Sequence, residues 1–221
     1  MNVVIFGATG MVGQGALRAC LLDPQVRKVL VVGRTPTGQS HPKLRKLIRR
    51  DLTDYVGLEP DLTGYDACFF CLGVSSAGLD EQSYTRTTYD LALAAATVLA
   101  RLNPPMTFLY VSGAGTDSGE QGRVMWARVK GRTENALRKL PFKAVYLLRP
   151  GAVQPLHGIR SRTRAYRLIY GLGGPLWTLL RHLAPRWILT TDSLGRAMIA
   201  LGRRGAGKTI LESPDLYALG R

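Results

Sequence analysis

A short apolar strand, residues 2–6, runs directly into Gly7-Ala8-Thr9-Gly10-Met11-Val12-Gly13 and from there into a helix over 11–22. This junction constrains the chain more than any other feature of its 221 residues. Glycines three apart let the backbone turn tightly and come close to a ligand. The free amides and dipole at the start of the helix favour negative charge. Strand, turn and helix in that order predict a cradle for a dinucleotide pyrophosphate, formed by Gly7, Thr9, Gly10, Met11, Val12 and Gly13. Such a turn is a weak signal alone. Here a second apolar strand over 26–32 follows at the spacing that a βαβ unit requires.

The alternation then continues. Apolar runs over 44–49, 66–72, 106–112 and 142–148 predict strands, and helical patterns over 81–101 and 119–139 lie between them. Pro104-Pro105 and Pro141 stop two of the helices. The predicted class is α/β: a Rossmann-type doubly wound parallel sheet with a small C-terminal helical region. A dinucleotide-binding domain over 1–155 and a substrate-side or lid region over 156–221, packed on the same domain, are expected. That second region reads as a helix, whole or broken, over 160–183, and another over 192–203 capped by Thr191 or Asp192. Three cysteines argue for a reducing compartment. No export signal or spanning run is visible. The expected location is cytoplasmic, with peripheral contact at the inner face of a membrane left open.

The second strand ends in Gly33-Arg34, and no acidic residue stands between Asp23 and Asp51. A site for NAD would place an acid there to hold the ribose 2′-OH, whereas an arginine can pair with a 2′-phosphate. Arg34 therefore points to NADP(H), the other reading being a solvated loop arginine. Asp51-Leu52 stands where it can meet an adenine amino group. Leu72-Gly73-Val74 stands where it can line the adenosine ribose.

These segments, with Tyr110-Val111-Ser112-Gly113, Val129-Lys130-Gly131 and Arg149-Pro150-Gly151, fall in the order found in the short-chain dehydrogenase/reductase superfamily. The chain resembles its atypical, "epimerase" or NmrA-like branch over about residues 1–155. The resemblance implies a nicotinamide dinucleotide cofactor, with Pro150, Gly151 and Val153 as further contacts. It implies Ser112 as the substrate-positioning serine. It makes Lys130 the lysine that holds the nicotinamide ribose and lowers the pKa of a tyrosine four residues earlier. At that position the chain has Trp126. No other tyrosine has a lysine four residues on. An indole N–H can donate a hydrogen bond but is no acid at neutral pH. Lys130 itself, Tyr84, Asp117 or a bound water could supply the proton. Trp126 either covers the nicotinamide or fills core space.

The charge is uneven. A net +15 divides into +2 over residues 1–110 and +13 over 111–221, with no acid between Glu134 and Asp192. The arginines and aromatics of Arg160–Trp187 suit a packed lid helix, an anionic membrane surface or an acidic ligand. No nucleic-acid-binding motif accompanies them. No metal-ligand spacing is present. Cys68-x-x-Cys71 sits in a strand, where residues three apart face opposite sides. Gly202–Thr209 imitates a phosphate loop without the required strand before it and helix after it. Helices 81–101 and 119–139 could form a homodimer face, and their alanines equally suit burial within one chain. Two functions follow: an NADP(H)-dependent oxidoreductase or epimerase-like enzyme on a small substrate, or a non-catalytic NADP(H)-binding protein.

Overall fold

The computed structural model describes residues 1–159 and 186–221. Seven parallel strands form one sheet. In chain order they are β1 (Asn2–Phe6), β2 (Lys28–Gly33), β3 (Leu44–Ile48), β4 (Ala67–Phe70), β5 (Thr107–Val111), β6 (Ala144–Arg149) and, near the C-terminus, β9 (Ile210–Glu212). Their spatial order is β3-β2-β1-β4-β5-β6-β9, so the winding reverses between β1 and β4. A doubly wound sheet opens a crevice at the carboxyl ends of its strands at such a reversal. The fold class expected from the alternation is the one observed.

β1, β2, β4, β5 and β6 are largely apolar on both faces because both faces are covered, whereas the edge strand β3 exposes Arg45 and Lys46. Val3 and Ile5 point into one core with Ala16, Leu17 and Met198, while Val4 and Phe6 point into another with Leu30, Phe70 and Leu99. In the second core Phe6, Phe70, Phe108 and Phe142 stack in sequence, with centroids 5.4, 5.9 and 5.0 Å apart. Cys68 belongs to the second core and Cys71 packs against the first, on opposite sides of the sheet.

The first face carries α1 (Met11–Leu22) and α6 (Thr191–Arg204). They approach closely through small residues. A Cβ on Gly15 would lie 2.6 Å from Thr191 O, and one on Gly195 would lie 2.8 Å from the Ala19 methyl. The other face carries α2 (Glu59–Leu62), α3 (Glu81–Thr85), a π-helical turn over Arg86–Asp90, α4 (Leu91–Leu102) and α5 (Met125–Leu137). Ala92, Ala95, Ala96 and Leu99 of α4 are buried within the chain. Two short strands, β7 (Ala152–Gln154) and β8 (Ile188–Thr190), pair with each other outside the main sheet. α7 (Ser213–Leu219) closes the C-terminus.

Several boundaries differ from expectation for local reasons. The helix expected from 119 starts at Met125, because the Asp117 carboxylate accepts from the Gly119 and Gly122 amides at 3.0 and 2.6 Å and holds 117–122 as a loop. The cap of α6 is Thr190, one residue before the expected pair. Its hydroxyl accepts from Ser193 N while Ser193 Oγ accepts from Thr190 N. Lys208, in the phosphate-loop look-alike, pairs with Asp215 at 2.6 Å. The helix expected over 160–183 and most of the basic stretch Arg160–Trp187 lie outside the described residues. At its end Trp187 is 66% exposed.

Candidate functional site

The glycines of the first turn have different jobs. Gly7 has φ +77°, and a Cβ there would lie 2.6 Å from Leu72 N, so the turn sits directly on the end of β4. A Cβ on Gly13 would lie 2.1 Å from Gly7 O, so α1 rests directly on the turn. Gly10 is less confined, with Gly7 O 3.3 Å from its would-be Cβ, and it faces outward into a cleft. The first amides of α1 have no carbonyl one turn back to bond. No acidic residue occupies its first turn. This end of α1 therefore presents donors and a positive dipole to whatever enters.

The cleft is about 560 Å³ and lies at the carboxyl ends of β1, β4, β5 and β6, where the winding reverses. That volume is ordinary for a small-molecule site. Gly10, Met11 and Val12 form one side, Leu72, Gly73 and Val74 the floor, and Ser112, Trp126, Lys130, Pro150, Gly151 and Val153 the far side. Six sequence-predicted contacts lie off its lining. Gly7, Thr9 and Gly13 build the turn beneath it. Arg34 is exposed beyond β2. Leu52 is 4% exposed and packs in the apolar core, while the exposed Asp51 accepts from Thr53 N and Oγ1 at 2.8 and 2.6 Å. Those two bonds hold the Asp51 carboxyl below its ordinary range.

Lys130 reaches across from α5, and its Nζ donates to Ser112 O at 2.9 Å. Burial pushes its ammonium down to about 8, while the Glu134 carboxylate resists that fall. Between about 8 and 10.5 the folded chain then binds fewer protons at this site than the unfolded chain, so this group's contribution to stability rises with pH. Lys130→Met is expected to flatten that part of the curve, as melting temperatures from pH 7.5 to 10.5 would show.

Ser112 is buried, and its Oγ lies 2.8 Å from Thr116 Oγ1. Thr116 donates its own proton to Gly113 O at 2.8 Å. Ser112 therefore donates to Thr116 and keeps its lone pairs for the cleft. Asp117, one of the groups that could replace the missing tyrosine proton, is tied to loop amides that hold its carboxyl below the usual range. It does not border the cleft. Trp126 does, with its indole against Gly115. The chain-order motifs gave no reason to place Tyr84 there, yet it also borders the cleft. The signal available was its position in the helix after β4.

No protein-family model matches the chain. "Protein FMP52, mitochondrial" of Saccharomyces cerevisiae is 30% identical over 184 residues, covering 81% of this chain and 74% of that protein. "Protein fmp52, mitochondrial" of Emericella nidulans is 28% identical over 209 residues, covering 91% and 87%. Among solved structures, the Bordetella bronchiseptica enzyme WbmF in complex with NAD+ superposes with a TM-score of 0.69 at 17% identity, covering 98% of this chain and 76% of that one. A UDP-glucose 4-epimerase superposes with a TM-score of 0.70 at 17% identity, covering 99% and 80%. The cytoplasmic expectation is corrected by these relatives, which are named as mitochondrial proteins. Reasoning from cysteine count and the lack of a visible signal could not distinguish one reducing compartment from another. By identity and coverage the chain belongs to the FMP52 family, an atypical branch with the short-chain dehydrogenase/reductase fold.

Proposed function

We propose that this chain binds NADP(H) and acts as an oxidoreductase or epimerase-like enzyme on a small carbonyl or alcohol substrate. One observation carries the reading. The open N-terminus of α1 and the Ser112–Lys130 pair face one another across a single cleft at the winding reversal. The residues present fit a nicotinamide dinucleotide. The α1 amides at the glycine turn would hold its pyrophosphate, and Lys130 would hold its nicotinamide ribose. Bound there, the nicotinamide supplies or accepts a hydride. Lys130 orients the ribose, Ser112 accepts a hydrogen bond from a substrate hydroxyl, and Val74 and Trp126 exclude water. WbmF, solved with NAD+, lends support at the level of fold.

The preference for the phosphorylated form rests on Arg34. It is exposed and makes no hydrogen bond or ion pair among the described residues. Arg49 N donates to Gly33 O at 3.0 Å, which brings Arg49 and Arg50 alongside it. A guanidinium on a phosphate contributes about 1.5–3 kcal/mol. Arg34→Glu is expected to weaken NADPH binding by about 10- to 100-fold and leave NADH binding within about threefold, as calorimetry would show. Unchanged NADPH affinity would remove Arg34 from the site.

A non-catalytic NADP(H)-binding protein is the second reading, favoured by Trp126 in the place of the expected tyrosine. The two readings part on whether the native chain oxidises NADPH when offered carbonyl compounds.

A further inference from the structure

One wall of the cleft has no role in the reading above. It is built by α3 and the π-helical turn that follows it. Tyr84, in α3, is among the largest fully buried side chains at 2% exposure, yet it borders the cleft beside Ser112, Trp126 and Lys130. Its hydroxyl is turned to the Thr88 hydroxyl, an interaction that favours the phenolate while burial opposes it more strongly. Thr88 Oγ1, four residues on, is buried and has no close hydrogen-bond partner of its own among the described residues. Between them the regular helix gives way to the π-turn Arg86–Asp90. Such turns interrupt helical hydrogen bonding and occur mostly at functional positions. A tyrosine that merely filled the core would need none of these local costs.

The other candidates are occupied. Asp117 holds its own loop, and Lys130 donates to Ser112 O. Arg128 and Arg132 of α5 fix the Tyr84 segment in place, through Glu81 at 2.6 Å and Thr85 Oγ1 at 2.9 Å. We infer that Tyr84 is the proton-transfer residue of this site, donating from Oη to the carbonyl oxygen of a bound substrate, the task that Trp126 cannot perform.

This rests on the oxidoreductase reading and names its acid. As hydride reaches the carbonyl carbon, the π pair of C=O moves to oxygen. The Tyr84 O–H bond breaks, its electron pair stays on Oη, and its proton passes to the substrate oxygen. The phenolate then takes a proton from water entering the cleft. The reductant is the reduced nicotinamide dinucleotide, which loses two electrons. Burial holds the Tyr84 phenol above its ordinary value, so it stays protonated through neutral pH and favours the reductive direction.

The test compares the native chain with Tyr84→Phe, which keeps the ring and removes only the hydroxyl. Three measurements are made: NADPH affinity, NADPH oxidation with a panel of aldehydes, ketones and quinones, and tyrosine phenolate absorbance in alkaline titration with and without saturating NADPH. The expected result is NADPH affinity within twofold of native, kcat lower by about 100-fold or more with little change in KM, and loss of one late-titrating tyrosine whose signal NADPH shifts. Native turnover by Tyr84→Phe overturns the inference alone, as does a Tyr84 signal indifferent to NADPH. If the native chain binds NADPH and reduces nothing on the panel, the oxidoreductase reading fails and takes this inference with it.

Discussion

Glu134→Ala is expected to destabilise the protein by about 3–5 kcal/mol, the usual consequence of leaving a buried charge without its partner. The Glu134 side chain is 1% exposed and that of Arg149 10%. Arg149 grips the carboxylate with two nitrogens, Nε donating to Oε1 at 3.1 Å and Nη2 to Oε2, and it also donates to Ser118 Oγ at 2.6 Å. Glu134 holds the Arg149 guanidinium above its ordinary value. Removing the carboxylate leaves that cation between α5 and β6 with only the more distant, half-exposed Glu212 carboxylate at 4.0 Å. At roughly 2–4 °C per kcal/mol for a chain of this size, the melting temperature should fall by about 10 °C or more. Replacing both partners, as Glu134→Leu with Arg149→Met, should recover much of the loss, since no buried charge is then left alone. Equal losses for the single and double variants would show that the pair acts only through its packing. The pair also serves the cleft: Arg149 leads into Pro150 and Gly151 on its wall, and Glu134 supports the charge of Lys130.

Gly13→Ala should have the largest effect on ligand binding. Its Cβ would sit 2.1 Å from Gly7 O, 2.7 Å from Gly7 C and 2.9 Å from Ala8 Cα. All three are backbone atoms, so no side chain can swing aside. Either α1 lifts away from β1 or the turn opens, and both displace the amides that face the cleft. The expected loss is about 1–3 kcal/mol of stability from overpacking, with NADPH affinity reduced by at least about tenfold. Gly10→Ala supplies the contrast. Its Cβ has only Gly7 O at 3.3 Å, so it should fold with near-native stability while crowding the ligand side of the turn. If Gly13→Ala bound NADPH normally, the turn would be a structural element and no more.

Much of this architecture was legible because two periodicities dominate the chain. Continuous apolar strands joined by amphipathic helices can be built only as a parallel sheet covered on both faces. β1 fell on residues 2–6 as expected because its runs toward both cores are uninterrupted. The legibility fades where signals are short. β7, β8 and β9 are three residues each, too brief to show a period; Thr209–Glu212 reads as strand-like, but nothing in the pattern places it at the edge of the main sheet. The loop at 117–122 was hidden because what holds it is one aspartate side chain accepting from the Gly119 and Gly122 amides, a contact that the spacing of the apolar residues does not report. Within the cleft, Ser112, Trp126 and Lys130 were reachable through motif order. Tyr84 was one of four candidate proton sources with nothing to select it, because its sequence spacing does not say that a π-turn follows it or that it borders the cleft.

The proposed chemistry requires a dinucleotide bearing a 2′-phosphate to bind at the open end of α1. The direct measurement is isothermal calorimetry of the full chain against NADPH and NADH in the same buffer. Saturable heat is expected with both, with tighter binding of NADPH by a margin that Arg34→Glu abolishes. Absence of heat with either nucleotide from folded protein would contradict it.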